Sequence, residues 1–101
     1  MKTNLFTETV KSHFNLECVT EFKFDPVRRW RADYYIPDLN MIIEVEGGAF
    51  TRGRHTRGVG FINDMEKYNA ATLAGYQVFR VTPDKLFSTG IELIRKTIEK
   101  L

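Results

Sequence analysis

Residues 31–48 read RADYYIPDLNMIIEVEGG and contain two segments of strand-forming residues separated by a turn. Aromatic and β-branched residues are frequent in both segments. The residues PDLN at 37–40 include the proline, aspartate and asparagine that are common in turns. The stretch therefore predicts a β-hairpin with strands over residues 29–36 and 41–46.

Two carboxylates, Glu44 and Glu46, lie two residues apart in the second strand, and alternation puts them on one face. If the four-residue turn sets the register, Asp33 lies opposite Glu44, and Arg31 lies opposite Glu46. Directly opposed like charges are destabilising unless a cation lies between them, and carboxylate oxygens bind Mg²⁺. The hairpin therefore favours a magnesium site formed by Asp33, Glu44 and Glu46. The alternative is a surface ion pair between Arg31 and Glu46, with the other two acids turned to water.

Alternation also divides the first hairpin strand into two faces. One face carries Trp30, Ala32, Tyr34 and Ile36, and the other carries Arg29, Arg31, Asp33 and Tyr35. Trp30 and Tyr68 are interpreted as core residues rather than as platforms on which nucleobases stack.

The rest of the chain predicts further elements around the hairpin. They are a helix over 3–15, a strand over 18–24, a glycine- and arginine-rich loop over 47–60, a helix over 63–74 that starts at Asn63, a strand over 76–81 and a mostly helical stretch over 84–100. The order α-β-β-β-α-β-α favours one α/β domain over residues 1–101, with a mixed four-stranded sheet flanked by helices.

The overall composition says little about function, whereas the positions of the charged residues along the chain say more. The chain of 101 residues has a net charge of +2, and its single cysteine, Cys18, excludes an intrachain disulfide. The sequence has no apolar run of membrane-spanning length and no signal-peptide pattern, so we expect a cytoplasmic protein. Six of the eight arginines are concentrated in one part of the chain: Arg28, Arg29, Arg31, Arg52, Arg54 and Arg57.

The residues RADYYIPDLNMIIEVEGG, followed by His55 and by DMEKYNAATLAGYQVFRVT, resemble the PD-(D/E)XK nuclease superfamily. They are most similar to its small phage and bacterial members, including the very-short-patch-repair-like relatives. The resemblance covers nearly the whole chain. It implies a restriction-endonuclease-like αβββαβ core with an added C-terminal helix, in a phage-encoded protein that acts in the cytoplasm of a bacterial host.

The resemblance also implies roles for individual residues. Asp33 stands at the metal-binding aspartate of the family, and Glu44 stands at the acidic position of its (D/E)-x-K motif. Glu46 occupies the position where the family usually has lysine, which is the main departure. Lys67 is the best substitute for that missing positive charge, although it also fits a solvated helix lysine.

Three more residues are candidates on the same resemblance. His55 would act as a general base, a phosphate contact or a leaving-group acid. Glu8 or Glu21 would add an acid from the N-terminal region, although each also fits an ordinary surface residue.

The resemblance implies a metal-dependent DNA endonuclease that hydrolyses phosphodiester bonds with Mg²⁺, or with Mn²⁺ as a substitute. Branched or nicked DNA in phage recombination or repair is the expected substrate, and a homodimer would cut both strands more readily. Six arginines are candidate phosphate contacts: Arg28, Arg29, Arg31, Arg52, Arg54 and Arg57. Two alternatives stay open. One is a catalytically weak or inactive DNA-binding module on the nuclease fold, and the other is a domain that binds an acidic protein.

Overall fold

The computed structural model describes residues 4–47 and 59–101. Its main elements follow the predicted order. They are α1 (Leu5–Phe14), β1 (Val19–Lys23), β2 (Arg31–Ile36), β3 (Met41–Val45), α2 (Val59–Leu73), β4 (Gln77–Val81) and α3 (Ile91–Glu99). The α/β class is therefore confirmed, together with the C-terminal helix. Among the residues described, no helix is long and apolar enough to cross a membrane.

The four strands form one mixed sheet in the order β1-β2-β3-β4. β1 with β2 and β2 with β3 are antiparallel pairs, whereas β3 and β4 are parallel. A parallel pair needs a crossover connection, and α2 provides it. This arrangement confirms the mixed four-stranded sheet and places β3 inside it.

Helices cover both faces of the sheet, and β3 contributes to both cores. On one face, Phe6 and Val10 of α1 and Ile94 of α3 pack around Ile43. On the other face, Ile42 packs with the core that includes Ala71 of α2. Ile42 and Ile43 are each at most 1% exposed, because successive residues of a strand point to opposite faces.

The helix predicted over 63–74 differs from its predicted start. α2 begins at Val59, so Asn63 lies within the helix rather than at its start. The prediction of a mostly helical stretch over 84–100 is confirmed. This stretch consists of a 3₁₀ turn at Pro83–Lys85, a π-type turn at Leu86–Gly90 and then α3.

β2 changes the face to which its side chains point at Asp33. Ala32 packs in the core on the α2 side, whereas Tyr34 packs in the core on the α1 side. The β1–β2 ladder keeps one register along its length but skips the pair formed by Glu21 and Asp33. Glu21 has a left-handed backbone with φ of 54°. The predicted single face for the even-numbered residues of 30–36 is therefore wrong, because this local irregularity interrupts the alternation.

Candidate functional site

The site begins where β2 and β3 stop pairing through their main chains. Their register is the predicted one, with the pairs Tyr34–Ile43, Tyr35–Ile42 and Ile36–Met41. Beyond Tyr34, side chains replace the ladder. The main-chain N–H of Asp33 donates to Glu44 Oε2 at 2.7 Å, and the N–H of Val45 donates to Asp33 Oδ2 at 2.8 Å. The structure thus brings Asp33 beside Glu44, with one bond from the Asp33 main chain to the Glu44 carboxylate and one from the Val45 main chain to the Asp33 carboxylate.

Glu44 is a buried carboxylate with a lysine partner. It is 5% exposed, and Lys67 Nζ lies 2.9 Å from its Oε1 atom. Burial raises the pKa of Glu44, while the bonds from Lys67 and from the Asp33 N–H oppose that rise. Both carboxylate oxygens of Glu44 therefore have protein donors.

The helical spacing of α2 places Lys67 on the face that packs against the sheet. Ala71 lies one turn after Lys67 and is 2% exposed in the core that includes Ile42. Residues four apart share a helix face, so the face that packs on the sheet also carries Lys67. The lysine predicted as a substitute for the missing one thus lies beside Glu44.

Glu46 has different partners from Glu44. Tyr68 Oη donates to Glu46 Oε2, and Arg80 Nε donates to the same oxygen at 3.2 Å. The Arg80 guanidinium also lies over the Tyr68 ring, 4.3 Å from its centroid. Burial and the Glu46 contact raise the pKa of Tyr68, so its hydroxyl remains a donor. Glu46 is therefore neutralised by Arg80.

The predicted opposition of Arg31 and Glu46 is wrong. Arg31 pairs with Lys23 in the β1–β2 ladder, and its side chain makes an ion pair of 3.6 Å with Glu21. Because β2 and β3 separate at Asp33, Arg31 belongs to the β1 side of the sheet. Tyr68, interpreted from sequence as core, is a half-buried hydrogen-bond donor to the site.

Tyr68 and Arg80 are the functional candidates that the sequence reasoning missed. Arg80 pairs with Glu44 in the parallel β3–β4 register, so its side chain can reach Glu46 one alternation further along β3. Tyr68 directly follows Lys67 on α2. The sequence signal for Arg80 was its place as the fourth residue of β4, the strand predicted over 76–81.

The additional acids and the first arginine group are at the surface. Glu8 is exposed on α1, and Glu21 is exposed on β1. Arg28 and Arg29 are exposed in the connection between β1 and β2. Of these residues, Glu21 lies nearest to the candidate site, since it flanks Asp33 across the interrupted β1–β2 ladder.

A cleft of about 510 Å³ opens beside Asp33 on the α1 side of the sheet. Its lining is Asn4, Thr20, Glu21, Asp33, Tyr34, Val45, Pro83 and Leu86. Gly47 follows β3 close to Pro83, and a Cβ atom there would lie 3.2 Å from Pro83 Cγ. Asp33 therefore connects an open cleft with the buried Glu44–Lys67 pair.

The residues described include no group of three acidic, histidine or cysteine side chains arranged to hold a metal ion. They do include two adjacent carboxylates, Asp33 and Glu44. Magnesium is usually held by one or two carboxylates, together with water and substrate phosphates. Asp33 and Glu44 fit that pattern in number and position, and each carboxylate oxygen has a second lone pair besides the one that its protein donor uses. Glu46 lies further along β3, where it is paired with Arg80.

Four predicted residues lie outside the part of the chain that the structure describes: Arg52, Arg54, His55 and Arg57. Their proposed contacts with phosphate stay predictions from the sequence.

Comparison with known proteins finds no match. No family model, no curated protein and no solved structure matches the chain.

Proposed function

We propose that the protein is a metal-dependent DNA endonuclease with a restriction-endonuclease-like core of the PD-(D/E)XK type. The observation that carries the proposal is the buried Glu44 carboxylate, which lies between the Asp33 main chain and the Lys67 ammonium group. An aspartate, a glutamate and a lysine converge at this point beside an open cleft.

Stability alone is a poor reason for this arrangement. Removing a carboxylate and an ammonium group from water costs free energy, and apolar replacements of a buried ion pair are often neutral or stabilising. Glu44 is 5% exposed, and its pKa is raised by burial. Titratable groups perturbed by burial and a specific partner, next to a cleft, are typical of functional sites.

Asp33 and Glu44 would hold Mg²⁺, which when bound supplies Lewis-acid activation of the phosphodiester and of water. Lys67 orients Glu44 and places a positive charge where negative charge develops on the phosphate. Arg80 and Tyr68 bind Glu46, so the acid at the usual lysine position does not repel the DNA backbone. The missing lysine charge is thus supplied from α2.

Exposed arginines near the site fit contacts with the DNA backbone. The side chains of Arg28 and Arg31 are 58% and 56% exposed, and within residues 4–47 and 59–101 each makes one long ion-pair contact, to Asp25 and Glu21 respectively. Surface pairs of this kind contribute little to stability, so phosphates can replace the acids as partners. We expect DNA affinity to fall with salt concentration.

A second candidate function is a DNA-binding module that does not cleave. The observation that favours it is Glu46 at the position where catalytic relatives carry lysine. In that case Lys67 would only balance the charge of Glu44. Metal-dependent cleavage of DNA separates the two functions.

Asp33→Asn tests the nuclease, with Asp38→Asn as the matched control. Asp38 is exposed in the turn between β2 and β3, so its substitution removes the same charge nearby. Supercoiled plasmid and a four-way junction are incubated with Mg²⁺, Mn²⁺ or EDTA. We expect cleavage with either metal, none with EDTA, and a loss of about 100-fold or more in Asp33→Asn only. Salt-dependent DNA binding without any metal-dependent cleavage would support the non-cleaving module instead.

A further inference from the structure

Trp30 is the only tryptophan of the chain, and it lies outside both buried cores. The guanidinium of Arg28 lies over its ring, 4.6 Å from the centroid. Phe24 is nearly parallel to the same ring, with an interplanar angle of 23° and a centroid distance of 6.3 Å. Both rings are half-buried, and Phe24 also packs against the core that includes Ile42. The sequence interpretation of Trp30 as a core residue is therefore replaced by a half-exposed stack of Arg28, Trp30 and Phe24 at the edge of that core.

The main chain holds this stack in place. Asp25 Oδ1 accepts hydrogen bonds from the N–H groups of Val27 and Arg28, at 2.8 and 2.9 Å. These bonds fix the connection between β1 and β2 and orient Arg28 toward Trp30. The stack is thus a preformed surface on an ordered turn.

The charge around the stack is positive. Residues 21–31 contain four basic and two acidic residues, so this segment carries +2, the same as the net charge of the whole chain. The four basic residues, Lys23, Arg28, Arg29 and Arg31, are all exposed. A polyanion is the partner that this surface fits.

We infer that the Arg28–Trp30 stack binds an unpaired nucleotide of the DNA substrate, an inference that rests on the proposed nuclease function. Unpaired bases stack on aromatic rings and on arginine guanidinium planes, while neighbouring basic residues bind the phosphates. The bases of an intact duplex are already stacked on their neighbours and offer only phosphates to this surface.

The position of the stack narrows the substrate class. Trp30 precedes Asp33 by three residues, which corresponds to roughly 10 Å along an extended chain. This distance corresponds to a few nucleotides of one DNA strand. The substrate has unpaired nucleotides close to the scissile phosphate, as in a flap, a gap or a junction.

Trp30 is itself the probe for this inference. The full-length protein is titrated in EDTA with a short oligothymidylate and with a duplex of equal length. We expect the oligothymidylate to quench tryptophan fluorescence and to bind more tightly than the duplex. Arg28→Ala should weaken oligothymidylate binding about 10-fold, as should Trp30→Leu, whereas Trp30→Phe should restore most of the affinity. Binding by the variants is measured by the anisotropy of a labelled oligonucleotide.

Arg95→Ala is the matched control, because Arg95 also lies over an aromatic ring, that of Phe14, at 5.7 Å. It removes the same charge from α3 and should leave binding unchanged. Equal losses in Arg28→Ala and Arg95→Ala, or no quenching by the oligothymidylate, would overturn the inference. Cleavage of intact duplex without quenching would support the nuclease function but contradict nucleotide binding by the stack. Selective quenching without cleavage in Mg²⁺ would support nucleotide binding by the stack but contradict the nuclease function.

Discussion

Glu44 and Cys18 are both buried groups whose pKa is raised by loss of solvent, but their surroundings differ. Glu44 has two donors that favour its charged form, Lys67 and the Asp33 N–H. Cys18 has only a main-chain hydrogen bond involving Tyr35 to oppose the effect of burial, and its pKa is raised to about 12. Charge at residue 44 is accommodated by the fold, whereas charge at residue 18 is not.

The Cys18 thiol gives a pH dependence with a defined sign. Its pKa rises from 9.0 in the unfolded chain to about 12 in the folded protein. The stabilising contribution is complete below pH 9 and is lost as pH rises toward 12, because only the unfolded state releases the proton in that interval. Relative to Cys18→Ala, the free energy of unfolding should fall by about 1.4 kcal/mol per pH unit above pH 9. Denaturant titrations of both proteins from pH 8 to 10.5 measure this difference, and a difference independent of pH would contradict the expectation.

The pairing of Asp33 with Glu44 could be predicted from the sequence, because the turn at 37–40 sets the hairpin register. The opposition of Arg31 and Glu46 could not, because the strands separate once side chains replace their ladder. A register rule assumes that main-chain pairing continues along the strand. It fails at the point where the candidate site begins.

At the scale of elements, the irregularity shared by β1 and β2 shapes the site. Both strands skip one pair at Glu21 and Asp33, and Glu21 takes a left-handed backbone. This missing pair leaves Asp33 in the lining of the cleft. The Asp33 carboxylate also accepts a hydrogen bond from the Val45 N–H. Regular alternation would have placed Asp33 beside Tyr35, on the side that packs under α2.

Substitution of Glu21 tests this irregularity. Glycine adopts a positive φ without a steric penalty, so Glu21→Gly should be at least as stable as the wild type. Glu21→Val should lose about 1–2 kcal/mol, because a β-branched residue strongly disfavours left-handed backbone. Urea unfolding provides both values. Equal stability of the two variants would show that residue 21 is free to adopt another conformation.

The order of the elements could be predicted, but the way in which α2 crosses the sheet could not. Helical spacing shows that Lys67 and Ala71 share a face, and it therefore places Lys67 toward the sheet. Contact of Tyr68 and Arg80 with Glu46 depends on the position of α2 over β3 and β4. Periodicity within one element carries no information about that crossing.

At the scale of the whole molecule, the candidate site lies between the two layers of helices. α2 supplies Lys67 and Tyr68 from one face of the sheet, and the cleft beside α1 reaches Asp33 from the other. The central strand β3 carries Glu44 between them. The candidate site therefore depends on the packing of both helix layers on the same sheet.

The role of Lys67 is tested by the initial rate of Mg²⁺-dependent plasmid nicking by Lys67→Met, compared with Lys96→Met. Methionine keeps much of the length of lysine without its charge, and Lys96 is an exposed residue of α3. Rates are divided by the folded fraction of each protein, measured by urea unfolding under the same conditions. If Lys67 supplies the positive charge of the site, Lys67→Met should lose about 100-fold or more in nicking rate, and Lys96→Met should nick like the wild type. Equal nicking by both variants would contradict the assignment of the missing lysine charge to α2.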